Sequence, residues 1–194
     1  MFFQEEDYHR YLKLIAHWCQ EEGVAISNYC LMNNHVHLIV TPQVGSNLSR
    51  AIGEAHRRYT RHINLRENWR GYLWQGRFAS FPMDEIYWLS AAAYVELNPV
   101  KANIVQTAWE YRWSSVHAYL SGQSDGIVTL EPLQSQVKDW KFFLQDHMQD
   151  GMATVFEAHA RTGRPMGSEP FIKRVSAILG RDLLPQKPGR KPKG

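Results

Sequence analysis

Residues 24–41 read VAISNYCLMNNHVHLIVT. Two runs rich in β-branched and aromatic residues flank Asn33-Asn34. Asparagine tolerates positive φ better than most residues, so a tight turn fits there. The stretch predicts an antiparallel hairpin, VAISNYCLM followed by HVHLIVT. Successive side chains on a strand point to opposite faces. His35 and His37 therefore share one face, about 7 Å apart along the strand, while Val36 points to the other. Two neutral imidazoles so placed can converge on one divalent cation. Taken alone, such a pair more often only decorates an edge strand.

Working outward, Tyr8, Tyr11, Leu12, Ile15, Trp18 and Cys19 recur at helical spacing between Asp7 and Glu22, and Gly23 is a good stop. After the hairpin, Ser46 or Asn47 can cap a helix whose apolar face is Leu48, Ile52, Ala55, Tyr59 and Ile63. GYLWQGRFASFPM, residues 71–83, alternates aromatic and polar positions and predicts a hairpin or bent strand pair. Asp84 can cap a helix, EIYWLSAAAYVELN, that Pro99 is expected to end or closely follow. A short helix is expected from about Ser114 to Leu120, closed by Gly122.

The composition changes at SGQSDG, residues 121–126, a linker pattern. Beyond it VKDWKFFLQD, MATVFEAHARTGRP and PFIKRVSAILG predict short helices. The tail PQKPGRKPKG is basic, rich in Pro and Gly, and expected to be disordered. The order predicts an α+β fold, an antiparallel sheet with helices on one face, over residues 1–121. Residues 122–194 are expected to form a helical extension with a basic tail.

The chain has 194 residues, and 44% of them are hydrophobic, enough for a sizeable core. No apolar run approaches the roughly 20 residues that cross a bilayer. The start, MFFQEEDYHR, lacks the basic residues and apolar centre of a signal peptide. A cytoplasmic, nucleoid-associated protein is the expectation. Cys19 and Cys30 follow no metal spacing and read as buried thiols. The net charge of +3 decides little, so its distribution matters more.

Tyr94 and Asn98 lie four apart in AAAYVELNPVKA, on one face of the expected helix. Asn98 offers a carbonyl oxygen, a hard ligand for Mg²⁺ or Mn²⁺. Tyr94 offers a phenolic hydroxyl, a nucleophile when a metal stabilises charge on a phosphate. Separately, each has a plainer reading, a core tyrosine and a helix-ending asparagine. Residues 50–78 carry Arg50, Arg57, Arg58, Arg61, Arg66, Arg70 and Arg77 against Glu54 and Glu67. Arginine's planar fork suits phosphate contacts. Tyr59, Trp69, Tyr72 and Trp74 among them suit stacking on unpaired bases. The plainer reading is a solvated helix face above ordinary core aromatics. The candidate DNA-binding residues are Arg50, Arg57, Arg58, Arg61, Arg70, Gln75, Arg77 and Lys101.

Four segments occur in register, YCLMNNHVHLIVTP, YLWQGRFASFPMDE, YVELNPVKANIV and YRWSSVHAYLSG. Together, over about Asp7 to Gly122, they resemble the REP-associated tyrosine transposases of the single-tyrosine HUH endonuclease class. The tail LLPQKPGRKPKG is similar to that family's basic end. The resemblance implies a ferredoxin-like sheet, a metal pair at His35 and His37 with Asn98 as a further ligand, and Tyr94 as catalytic tyrosine. It implies Mg²⁺ or Mn²⁺, a substrate of hairpin-bearing single-stranded DNA, and a 5′-phosphotyrosine intermediate, in a monomer or a homodimer. Family members carry a strand of the form YHVTQRGN ahead of the first helix, and this sequence begins just after that place. The expectation is an unpaired edge beside the histidine strand, with a misplaced start, a truncation or a strand from another chain as its explanations. Two other functions fit less of the pattern. One is a DNA-hairpin-binding protein without chemistry. The other is a hydrolase whose metal shell is completed by Asp84, Glu85 or Glu96.

Overall fold

The structure is a computed structural model that describes residues 1–149 and 151–184. The expected disordered tail, residues 185–194, lies outside the described residues. The chain forms two compact units. One joins Met1–Phe78 with Leu89–Met152, and the other joins Ala79–Trp88 with the chain from Ala153 onward.

In the first unit, α1 (Glu5–Glu21) leads into β1 (Val24–Leu31), β2 (Val36–Pro42) and α2 (Leu48–Glu67). Helix α1 begins with Glu5, Glu6 and Asp7, negative charge where the helix dipole is positive. Tyr8, Tyr11, Leu12, Ile15 and Cys19 of its expected apolar stripe are buried, whereas Trp18 is only half-buried. Asn47 caps α2, its side chain accepting from the Arg50 N–H at 3.0 Å. The α2 stripe of Ala51, Ile52, Ala55, Tyr59 and Ile63 is buried, whereas Leu48 is only half-buried. Asn68 ends the helix in the left-handed conformation at φ 55.

The hairpin forms as expected, with Cys30 opposite His37 and Leu31 opposite Val36, but residues 32–35 join its strands with no positive φ at Asn33 or Asn34. Ser27 makes an irregularity between Ile26 and Asn28, after which Asn28 pairs with Ile39. By register, Asn28, Cys30, His37 and Ile39 share one face. Strand β1 is buried almost throughout, so both of its faces are covered. Strand β2 is half-exposed, and among the described residues it pairs with β1 only. The result is an α+β fold with a small helical C-terminal part.

Two expectations need correction. Residues 71–83 form no strand pair. The Trp74 ring docks on α2 instead, while Tyr72 is exposed. Trp74 stacks on His56 with centroids 3.7 Å apart and planes 9° apart, and its Nε1–H donates to the His56 carbonyl. A ring packed on a helix and an exposed ring alternate here, which a period-two pattern cannot distinguish from a strand. Nor does Pro99 end its helix, because α3 runs Trp88–Lys101 with Pro99 inside it. Pro99 lacks the N–H that would bond the Val95 carbonyl, yet its fixed φ suits a helix and the chain stays helical to Lys101. The Asn98 side chain donates to the Tyr94 carbonyl at 2.7 Å, and the chain turns away at Asn103 with φ 55.

Helix α4 (Val116–Ser121) closes at Gly122, at φ 67. Residues after the linker pattern also pack into this unit. Val128 bridges to Ile26, and α5 (Leu133–Gln136) and α6 (Trp140–Asp146) bury Leu133, Trp140 and Leu144. The Trp140 ring stacks on Tyr119 at 4.1 Å. The second unit contains α7 (Met152–Thr162), apart from its first residue, and α8 (Glu169–Leu179). Ser168 caps α8, and its hydroxyl also donates to the Asp84 carboxylate at 2.7 Å. Among the described residues no helix is long and apolar enough to cross a membrane.

Candidate active site

The hairpin presents His35 and His37 side by side. The His35 Nδ1 lies 2.7 Å from the Asn34 side-chain oxygen, which fixes that ring. The two Nε2 atoms face each other at 3.0 Å, with ring centroids 4.7 Å apart. Helix α3 brings Tyr94 and Asn98 to the same place. The Tyr94 ring meets the His37 ring edge-on, with centroids 5.5 Å apart and planes at 82°. The Asn98 side chain shares a hydrogen bond with His37. One turn beyond, the Lys101 ammonium sits 5.6 Å from the Tyr94 ring centroid. Four residues chosen from sequence as a nucleophile and metal ligands are thus neighbours, and Lys101 joins them.

Burial, and then the neighbouring His35, push the His37 pKa down to about 4, although the Asn98 bond opposes the shift. Burial also lowers the His35 pKa. Both rings are therefore neutral at pH 7 and carry a lone pair, as metal ligation requires. Two ligands about 2.1 Å from one ion and about 90° apart would themselves lie about 3.0 Å apart. The separation of the two Nε2 atoms fits that spacing. Two imidazoles and an amide oxygen fit a divalent cation that keeps further positions for phosphate or water. Among the described residues no three His, Cys, Asp or Glu side chains come together as a metal site. Glu96 in particular is committed elsewhere, to Asn28, Ser115 and Trp140.

The arginines divide into two sets. Arg50 pairs with Glu22 at 3.1 Å, and Arg57 and Arg58 both pair with Glu54. Arg58 also lies 4.8 Å over the Trp18 ring centroid. Arg66 forks onto the buried Asp7. Arg61, Arg70 and Arg77 are exposed and make no ion pair among the described residues. The pairing with Glu22 and Asp7 joins positions far apart in sequence, so charge counting within residues 50–78 could not reveal it.

Between α2 and residues 71–78 lies a mostly apolar cavity of about 750 Å³. Its lining includes Gly53, His56, Tyr72, Trp74, Gln75 and Arg77. Burial holds the His56 pKa at about 4, so its ring is a neutral, flat wall. Sequence reading missed His56 because a lone histidine on a helix carries no signal until Trp74 covers it.

A histidine pair, a tyrosine and an amide thus meet in one place. The family model described as "Transposase IS200 like" matches residues 1–98, just over half of the chain. The chain belongs to the IS200-like transposase family, whose members process DNA. The match covers the hairpin, α2 and α3 as far as Asn98. No curated protein and no solved structure matches the chain.

Proposed function

We propose that the protein is a REP-associated type of transposase, a metal-dependent strand transferase that nicks and rejoins hairpin-bearing single-stranded DNA through Tyr94. The observation that carries this reading is the meeting of Tyr94 with His37, centroids 5.5 Å apart, beside Asn98 on the same helical face. Mg²⁺ or Mn²⁺ held by His35, His37 and Asn98 would polarise a phosphate oxygen and offset charge that develops on it.

Tyr94 Oη attacks the phosphorus, a Tyr–O–P bond forms and the P–O3′ bond breaks. The phenolic proton is lost to water, and the departing O3′ takes one up as a free hydroxyl. In the reverse direction the 3′-hydroxyl attacks phosphorus and releases Tyr94, so no external energy source is consumed. Phosphoryl transfer needs in-line positioning and charge neutralisation more than an elaborate base. Arg61, Arg70 and Arg77 are free to meet phosphates, while the walls formed by His56, Trp74 and Tyr72 suit unpaired bases.

The test is incubation of the protein with a hairpin-bearing single strand and Mn²⁺, followed by a denaturing gel. A covalent protein–DNA adduct is expected with wild type and none with Tyr94→Phe. Equal adduct from Tyr94→Phe would sink the assignment of the nucleophile. Salt-sensitive hairpin binding without adduct under either metal would leave a binding protein only.

A further inference from the structure

Glu96 is a carboxylic acid in the core of the first unit, with no exposed surface. It comes from the helix that carries Tyr94 and Asn98. Residues two apart on a helix diverge by about 200°, so Glu96 leaves α3 on the side opposite those two. Nothing proposed for the reaction uses it. Buried charge is costly unless hydrogen bonds surround it, and an apolar side chain of similar size is often the more stable choice at such a position. Stability alone therefore gives a poor account of a glutamate here.

Its two oxygens are fully engaged. Oε1 accepts from Asn28 Nδ2 at 2.9 Å and from the Ser115 hydroxyl at 2.7 Å. Oε2 accepts from the indole N–H of Trp140 at 2.7 Å. These donors come from three places in the chain, namely β1, the N-cap of α4 and the first turn of α6. Ser115 also accepts from the Tyr29 N–H at 3.1 Å, and its own N–H donates to the Tyr29 carbonyl at 3.0 Å. Next to Tyr29 is Cys30, the register partner of His37. The back of the tyrosine helix is thus tied to the strand that pairs with the histidine strand, within one or two residues of that pairing.

We infer that Glu96 is a positioning residue, which through Asn28, Ser115 and Trp140 holds α3 in the place where Tyr94 meets His37. This rests on the reading of Tyr94 as the nucleophile. It also gives a role to residues beyond the part of the chain that the family model matches, since Ser115 and Trp140 both lie there. A helix held by directional bonds from three elements has fewer ways to slide than one held by apolar contacts alone. Misplacing a reacting group by about 1 Å can cost on the order of a hundredfold in rate.

The test compares Glu96→Leu, Glu96→Gln and Trp140→Phe in the full chain, well below each variant's unfolding temperature. Glu96→Leu orphans all three donors. Under single turnover with saturating hairpin DNA and Mn²⁺, its rate of adduct formation should fall at least roughly tenfold, with DNA affinity unchanged. Glu96→Gln should stay within about threefold of wild type, because the Asn28 amide can turn its unpartnered Oδ1 to receive the new amide hydrogens. Trp140→Phe, which removes one donor, should fall in between and serves if Glu96→Leu fails to fold. Amide exchange across residues 89–101 should quicken in Glu96→Leu relative to α2, and the contact between the His37 and Tyr94 rings, seen by NMR, should weaken. Wild-type rate, exchange and ring contact in a folded Glu96→Leu would overturn the inference. If wild type forms no Tyr94-dependent adduct, the nucleophile reading falls instead, and the exchange and ring-contact measurements still decide the role of Glu96.

Discussion

Replacing Asp7 with asparagine should lower stability in a pH-dependent way. The Asp7 side chain is fully buried, and its Oδ2 accepts from the Phe3 and Gln4 N–H groups at 2.8 and 3.2 Å. Arg66 forks onto both oxygens, with Nη2 at 3.1 Å from Oδ2. Burial pushes the Asp7 carboxyl up, but the Arg66 bonds and the two amides outweigh it, so the group titrates below its ordinary value. Breaking a buried pair costs about 3–5 kcal/mol. The Arg66 side chain is 25% exposed, so water screens part of that. The expected loss is about 2–3 kcal/mol at pH 7. In a chain of this size that is a fall of roughly 5–10 °C in Tm.

The sign of the pH dependence follows from linkage. With the folded pKa depressed, the unfolded chain binds the proton first, and stability rises with pH through that window. The contribution is complete above about pH 4–5 and fades as pH falls through the folded pKa. Thermal unfolding followed by circular dichroism at pH 7 and at about pH 3 measures both parts. A Tm for Asp7→Asn within about 2 °C of wild type at pH 7 would refute the reasoning. So would a gap that persists undiminished in acid.

Two further outcomes follow from the packing. Replacing Arg61, Arg70 and Arg77 together with glutamine should reduce the slope of log K against log salt for a single strand by about 2, at roughly 0.7 per contact. An unchanged slope would exclude them as phosphate contacts. In the second unit, a Cβ on Gly167 would lie 2.4 Å from Phe171 Cδ1 and 2.8 Å from Asp84 Cβ. Gly167→Ala should therefore destabilise that unit by about 1–3 kcal/mol, read as earlier thermal unfolding, and an unchanged Tm would show that the neighbours yield freely.

Much of the candidate site was legible because its signals are local. A turn-forming Asn33-Asn34 pair and period two put His35 and His37 on one face. Period 3.6 put Tyr94 and Asn98 on another. The alternation of residues 71–83 misled, because a ring packed on a helix and an exposed ring, Trp74 and Tyr72, can alternate as strand residues do. Pro99 misled as a helix stop, because proline forfeits one backbone bond but its φ still suits a helix, and α3 runs on to Lys101.

The sequence by itself determined the elements and the faces they present, since backbone sterics and hydrophobic period act over a few residues. Only the tertiary structure decided which faces meet. It set the His37 ring against Tyr94, paired Arg66 with Asp7 across 59 positions, and left Arg61, Arg70 and Arg77 without ion-pair partners among the described residues. It also surrounded Glu96 with donors from positions 28, 115 and 140. Hydrogen bonds and ion pairs are short-ranged in space and indifferent to distance along the chain. That is why the glutamate in YVELN carries no visible meaning until the chain has folded around it.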